Sequence, residues 1–169
     1  MRSVSLKSPA RWCTGFRRQT TMALMLCALL ASVTRPALAD QGDVVSVKRL
    51  GMPLAAQIAE KAVMICQGRG YNVSAVVVDR AGDPQVVMRG TDANRFTIQI
   101  ATDKARAVIL SGVDSSAFRR NRDDIRMEMD HVDGVLMLDG GVRIDSVGTL
   151  IGALGVSGAP GGENSRVRW

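Results

Sequence analysis

The chain has few of the side chains that build catalytic sites and covalent cross-links, with one His, one Tyr and three Cys among 169 residues. Two cysteines lie in the first 39 residues, and the third, Cys66, cannot form an internal disulfide alone. The domain must therefore be held together by its core or by oligomerisation. Cys66 falls among apolar residues at the end of a helical pattern, which predicts a buried, inert thiol.

Recognisable catalytic motifs are also lacking. With a single His, no serine or cysteine nucleophile can be matched to a base, and the sequence has neither a phosphate-binding loop nor a zinc-ligand spacing. The acids are scattered singly apart from Asp123 and Asp124, so they define no acid–base pair. The sequence favours a binding protein over an enzyme, because any catalysis would have to come from a bound metal or cofactor.

The first 39 residues contain no acid, and they hold six of the 22 basic residues. An apolar run over residues 22–33 is too short to span a bilayer comfortably, and an A-x-A motif ends at Ala39. This pattern predicts a secretory signal peptide over residues 1–39 and a periplasmic or secreted protein that starts at Asp40. The pair at residues 17–18 raises a twin-arginine alternative, but two threonines follow where hydrophobic residues are usual, which favours Sec export.

The predicted mature chain has no net charge, although the full sequence carries +6. All 16 acids lie at or after Asp40, and 16 of the 22 basic residues remain there. The basic excess thus belongs to the signal peptide. We therefore expect no nucleic-acid partner and, after signal cleavage, no membrane partner.

Residues 40–51 are polar and irregular, which predicts a flexible leader before one α/β domain over residues 52–169. Apolar periodicity predicts helices over 53–67 and 96–110, and strands over 73–79 and 85–89. A glycine-rich stretch over 135–158 predicts a hairpin that turns at Asp145–Ser146 and forms the centre of the sheet. Its dense glycines indicate a surface that another backbone or a ligand approaches closely.

Two charged features stand out between these elements. Lys104 lies on or beside the apolar stripe of the second helix, so it must snorkel or find an acid. Four arginines alternate with acids in residues 111–126, which is typical of a solvated helix face, with an anion-binding cluster as the alternative.

Several pieces together resemble the GlcG/HbpS-like family of haem-binding proteins, to which the C-terminal domain of PduO-type proteins also belongs. The resemblance covers about residues 52–163. The matching pieces are residues 76–79, Gly82, Arg89, Asp92, residues 100–101, Lys104, Gly140, Gly141 and residues 151–158.

This resemblance implies a profilin-like α+β fold, with an antiparallel sheet of about five strands flanked by helices and assembled as a homo-oligomer. It also implies haem binding. The alternatives within the resemblance are a role in iron handling, haem degradation, or binding of another tetrapyrrole. The chain departs from the family at Arg143, where proline is usual, and in its shortened C-terminal helix. A shortened helix exposes sheet surface, which favours an oligomer.

Haem needs an axial ligand from His, Met, Cys or Tyr, and His131 is the predicted one. Met127 and Met129 would share its face in extended chain, so a Cu(I) site of these three residues is the alternative. A solvated His without a ligand role also fits this polar loop. Tyr71 is a weaker candidate ligand.

The remaining predicted binding residues come from the resembling motifs. Arg89, Asp92 and Lys104 would line a pocket where a strand end meets the second helix, with a cation there binding a propionate. The alternative is an internal ion pair of Lys104 with Asp79 or Asp92. Ser157 would offer backbone N–H groups to an anion or cap the short last helix.

Three functions follow. The first is an exported haem or tetrapyrrole binder, the second a cofactor-free periplasmic accessory or interaction subunit, and the third a haem-degrading enzyme. Absorbance at the Soret band distinguishes the first from the second, and loss of haem colour with reductant and oxygen identifies the third.

Overall fold

A computed structural model of the chain describes residue 42, residues 45–164 and residue 166. The chain divides into two units, Met1–Val45 and Ser46–Trp169, and the second holds all the elements given below. The predicted signal peptide lies outside the described residues. No helix within the described ranges combines the length and the apolar character that a membrane span needs.

The second unit contains four strands and five α-helices in the part that the structure describes. In chain order they are α1 (Met52–Gln67), β1 (Ser74–Asp79), β2 (Pro84–Arg89), α2 (Thr97–Ser111), α3 (Ser115–Asn121), a 3-10 turn (Asp123–Ile125), α4 (Arg126–Met129), β3 (Gly141–Ser146), β4 (Thr149–Ser157) and α5 (Gly161–Asn164). Both long helices and the first two strands lie within one residue of their predicted ends.

The four strands form one antiparallel sheet in the order β2-β1-β4-β3. The fold class is therefore confirmed as an antiparallel sheet flanked by helices. The prediction that the last hairpin is central is correct for β4 and wrong for β3, which forms an edge. The hairpin turns at Val147–Gly148, two residues later than predicted, because these residues take the positive φ angles (51° and 74°) that a tight turn of this hand requires.

The sheet is covered by one long helix on each face. Alternate residues of the central strands point to opposite sides, so Ala75 and Val77 pack with α1, whereas Val76 and Val78 pack with α2. The continuous apolar run of β1 is thus explained by burial on both faces. Each of the buried valines contributes about 1.5–3 kcal/mol to the driving force for folding.

Helix α2 lies directly against the backbone of β3 and β4. Gly155 and Gly141 are register partners on this face, and a Cβ on Gly155 would overlap the carbonyl of Ala101. A Cβ on Gly141 would overlap the carbonyl of Lys104, at 2.6 Å. The predicted close approach at these glycines is therefore real, and the approaching group is a helix.

Candidate functional site

His131 lies in the turn that follows α4, and its side chain is exposed. Its backbone N–H donates to the carbonyl of Glu128 (3.2 Å), and no hydrogen bond or ion pair of its imidazole occurs within the described ranges. Three exposed apolar side chains lie within seven residues of it along the chain: Met127, Val132 and Leu138, which are 70%, 44% and 40% exposed. An accessible imidazole is chemically suited to bind a haem iron, and exposed apolar side chains are suited to contact a porphyrin face.

Met127 and Met129 do not share a face. They belong to the helical turn α4, which places residues two apart on roughly opposite sides, whereas the prediction assumed extended chain. Met129 is half-buried against the cluster of Ala107, Phe118 and Met137, while Met127 is exposed. The expected Met/Met/His surface is therefore not formed, and within the described residues no three His, Cys, Asp or Glu side chains gather as a metal site.

Arg89 and Asp92 both lie at the corner between the end of β2 and the start of α2, and their role in one binding pocket stays a prediction. The Arg89 guanidinium donates to the carbonyl of Ala93 (2.8 Å), and the Asp92 side chain is exposed. Sequence reasoning missed two residues of this corner. Phe96 is 62% exposed, and the guanidinium of its sequence neighbour Arg95 lies 5.0 Å from the centre of its ring, within the range of a cation–π contact.

Ser157 lies beneath the same corner. It is the register partner of Ser74, whose hydroxyl lies 2.7 Å from that of Thr97 in α2. Ser157 is 6% exposed. Its burial at the end of β4 leaves it less accessible to a large ligand than Arg89.

The Lys104 side chain is buried and is not exposed at this corner. It is 4% exposed, and its Nζ donates to the carbonyl of Val156 at 3.3 Å. Burial lowers the pKa of the Lys104 ammonium from 10.5 to about 8, and the nearby carboxylate of Asp139 opposes part of this shift. No direct pair of Lys104 with Asp79 or Asp92 occurs in the described part, where Asp79 instead accepts N–H groups in its own turn.

Near Lys104, Asp139 is held by the neighbouring helix. Arg119 of α3 pairs with Asp139 Oδ2 at 3.0 Å, while Oδ1 is buried without a hydrogen-bond partner. The backbone of Gly140 lies close to the Lys104 ammonium group, since a Cβ on Gly140 would be 3.3 Å from Nζ. Lys104 is thus packed inside the domain and does not present its charge at the surface.

The arginine-rich segment behaves as a solvated face. Arg119 binds Asp139, Arg122 binds Asp124 (3.1 Å) and Arg126 binds Asp123 (2.9 Å). Arg120 has no acid partner in the described ranges and lines an open concavity of about 410 Å³. Three of the four guanidinium groups are therefore already neutralised by neighbouring carboxylates.

No curated protein sequence matches the chain. Among solved structures it is similar to HbpS, with 28% identity and a TM-score of 0.69 over 76% of this chain and 91% of that one. A double mutant of Streptomyces reticuli HbpS gives 27% identity and a TM-score of 0.69, over 78% of this chain and 90% of that one. The structure of a PduOC–haem complex has the same fold, at 24% identity and a TM-score of 0.62, over 71% and 90% of the two chains.

The family model described as "Haem degrading protein HbpS-like" matches residues 50–167. That range includes both long helices and the whole four-stranded sheet. This chain therefore belongs to the HbpS-like family.

Proposed function

We propose that this protein binds haem or a related tetrapyrrole and that His131 is the axial ligand. Family membership supports haem-related binding, and a protein of the same fold is known in a haem complex. The observation that carries the ligand assignment is the exposure of the single imidazole of the sequence, in a chain segment that also exposes Met127, Val132 and Leu138. Bound haem would supply the redox-active iron, while the chain supplies the ligand and the apolar contact.

A hemin titration of the purified protein tests this proposal. We expect a saturable Soret shift, and His131→Ala should weaken hemin binding by at least about tenfold, because the iron loses its protein ligand. Glu128→Ala is the matched control, since this exposed neighbour contacts His131 only through its backbone carbonyl. Absence of a saturable shift contradicts haem binding and favours the cofactor-free accessory subunit, whereas equal binding by His131→Ala contradicts the ligand assignment alone.

A second candidate function is haem degradation, which the description of the family favours. The test is to add a reductant and oxygen to the hemin-loaded protein and to follow the Soret band. Its loss with release of iron, at a rate above that of free hemin, supports degradation. A stable band identifies a binder that leaves haem intact.

We also propose that the protein is exported and forms a homo-oligomer. The basic residues, apolar run and A-x-A motif of the first 39 residues support export, and membership in the HbpS-like family supports association. Mass spectrometry of the periplasmic fraction should find a mature chain that starts at Asp40. Light scattering after gel filtration should give a mass above that of one chain, and a monomer mass would contradict the oligomer.

A further inference from the structure

A second concavity lies at the β1–β2 turn, away from the helical segment that carries His131. It has a volume of about 470 Å³, within the range of small-molecule sites. Its apolar part is formed by Leu50, Ile151 and Val47, of which the first two are 4% and 6% exposed. The charged side chains of its wall are Arg49, Arg80, Asp79 and Asp83.

These charges face one cavity without neutralising one another. Arg49, Arg80 and Asp83 take part in no side-chain hydrogen bond or ion pair within the described ranges, so each retains its full binding capacity. Opposite charges that line a cavity more than 4.0 Å apart leave room for a ligand that contacts both. The arrangement differs from the arginine-rich segment, where the charges pair directly.

Hydrogen bonds hold the backbone of the cavity wall in place before any ligand arrives. Asp79 Oδ1 accepts the N–H groups of Ala81 (2.8 Å) and Asp83 (3.1 Å), which fixes the turn between β1 and β2. On the other side, the Gln85 amide donates to the carbonyl of Leu50 at 3.1 Å and holds the chain segment before α1 against β2. A backbone that is already ordered loses less conformational entropy when a ligand binds.

We propose that this cavity binds a small zwitterion with an apolar group, of which an α-amino acid is the simplest case. The guanidinium groups of Arg49 and Arg80 bind the carboxylate, since a planar guanidinium fork matches carboxylate geometry. The carboxylate of Asp83 binds the ammonium group. Leu50 and Ile151 contact the apolar side chain of the ligand. With two cationic and two anionic groups, the wall has no net charge, which suits a neutral zwitterion better than a simple anion or a simple cation.

The probe for this site is L-valine, titrated into isotopically labelled mature protein and followed by amide chemical shifts. We expect saturable shifts at Leu50, Gln85 and Ile151. 3-Methylbutanoate lacks the ammonium group and 2-methylpropylamine lacks the carboxylate, and each should bind at least about tenfold more weakly, a difference of about 1.4 kcal/mol. Absence of saturation with valine at millimolar concentrations overturns the site, and equal binding of either analogue overturns the zwitterion class.

Two variants test which residues bind the carboxylate and the ammonium group of the ligand. Arg80→Ala should reduce the preference for valine over 2-methylpropylamine, and Asp83→Asn should reduce the preference for valine over 3-methylbutanoate. Lys61→Ala, an exposed cation of α1 that does not line the cavity, is the matched control and should bind valine as the native protein does. If both cavity variants also retain native selectivity, the site assignment is wrong. Hemin binding should be unchanged in all three variants, so this test is independent of the haem proposal.

Discussion

Lys104 is a basic residue in a place that stabilises its neutral form. Its Nζ is buried, has one carbonyl acceptor at 3.3 Å and has no carboxylate within ion-pair distance in the described residues. Desolvation therefore outweighs the attraction of Asp139, and the pKa falls to about 8. In the unfolded chain the same amine keeps its ordinary pKa of 10.5.

This difference predicts a rise in stability with pH. Below the folded pKa both states hold the proton, and folding must bury a charge. Between about pH 8 and pH 10.5 the unfolded state binds more protons, so the free energy of unfolding increases with pH. From about pH 7 to pH 9 the expected gain is about 1 kcal/mol, measured by urea denaturation.

Lys104→Met should remove this pH dependence, because the apolar side chain keeps the volume and has no proton to lose. Lys61→Met is the control, since its exposed amine should leave the pH dependence intact. The stability measurements stop near pH 9. Burial raises the pKa of the Cys66 thiol above 9.0, so above that pH this thiol lowers the stability of the native protein. A Lys104→Met curve parallel to that of the native protein would refute the assignment.

At the scale of the elements, the contact between α2 and the β3–β4 hairpin decides how closely the two layers pack. Gly155 meets the backbone carbonyl of Ala101, and Gly141 meets that of Lys104. Backbone atoms cannot rotate away as a side chain can. The helix must move outward if either glycine gains a Cβ, and its contacts with Val76, Val78 and Ala153 would then loosen.

We therefore expect Gly155→Ala to lower the free energy of unfolding by at least about 2 kcal/mol, as measured by thermal or urea denaturation. Gly162→Ala in α5 is the matched control, because a Cβ there meets no atom within 4 Å and Gly162 has no positive φ. Its effect should stay within about 0.5 kcal/mol. Equal stability of the two variants would show that α2 can shift at little cost.

For the whole molecule, the charge balance changes when the predicted signal peptide is removed. The precursor has a sequence pI of about 9.9, whereas the chain from Asp40 carries 16 acids and 16 basic residues. Ion pairs such as Arg119–Asp139 also keep many of these charges next to opposite ones. The chain from Asp40 therefore has no basic excess in net charge.

The measurable consequence is weak retention on polyanions. We expect the mature protein to pass through a heparin column at low salt near neutral pH, because few counterions are released on contact. Isoelectric focusing should place its pI near neutrality. Retention that needs high salt for elution would reveal a basic face and reopen the question of an anionic partner.

The sequence by itself determined which segments form helices and which form strands. Alternating and continuous apolar runs placed two strands and two long helices within about a residue, because burial selects a period of 2.0 or 3.6. The last hairpin was also predicted, but its turn lies two residues later and its first strand begins only at Gly141. The family motifs likewise identified the HbpS-like family, which the match over residues 50–167 confirms. Cys66 was predicted as a buried thiol and is 1% exposed.

Only the tertiary structure decided which groups meet. Strand order is a property of long-range pairing, so β3 at the edge and β4 at the centre could not follow from the local pattern. The burial of Lys104 depends on Gly140 and Val156, far away in sequence, and Met129 turned inward because α4 is helical. The pKa of a side chain and the walls of a cavity depend on neighbours brought together by folding, and periodicity along one segment holds no information about them.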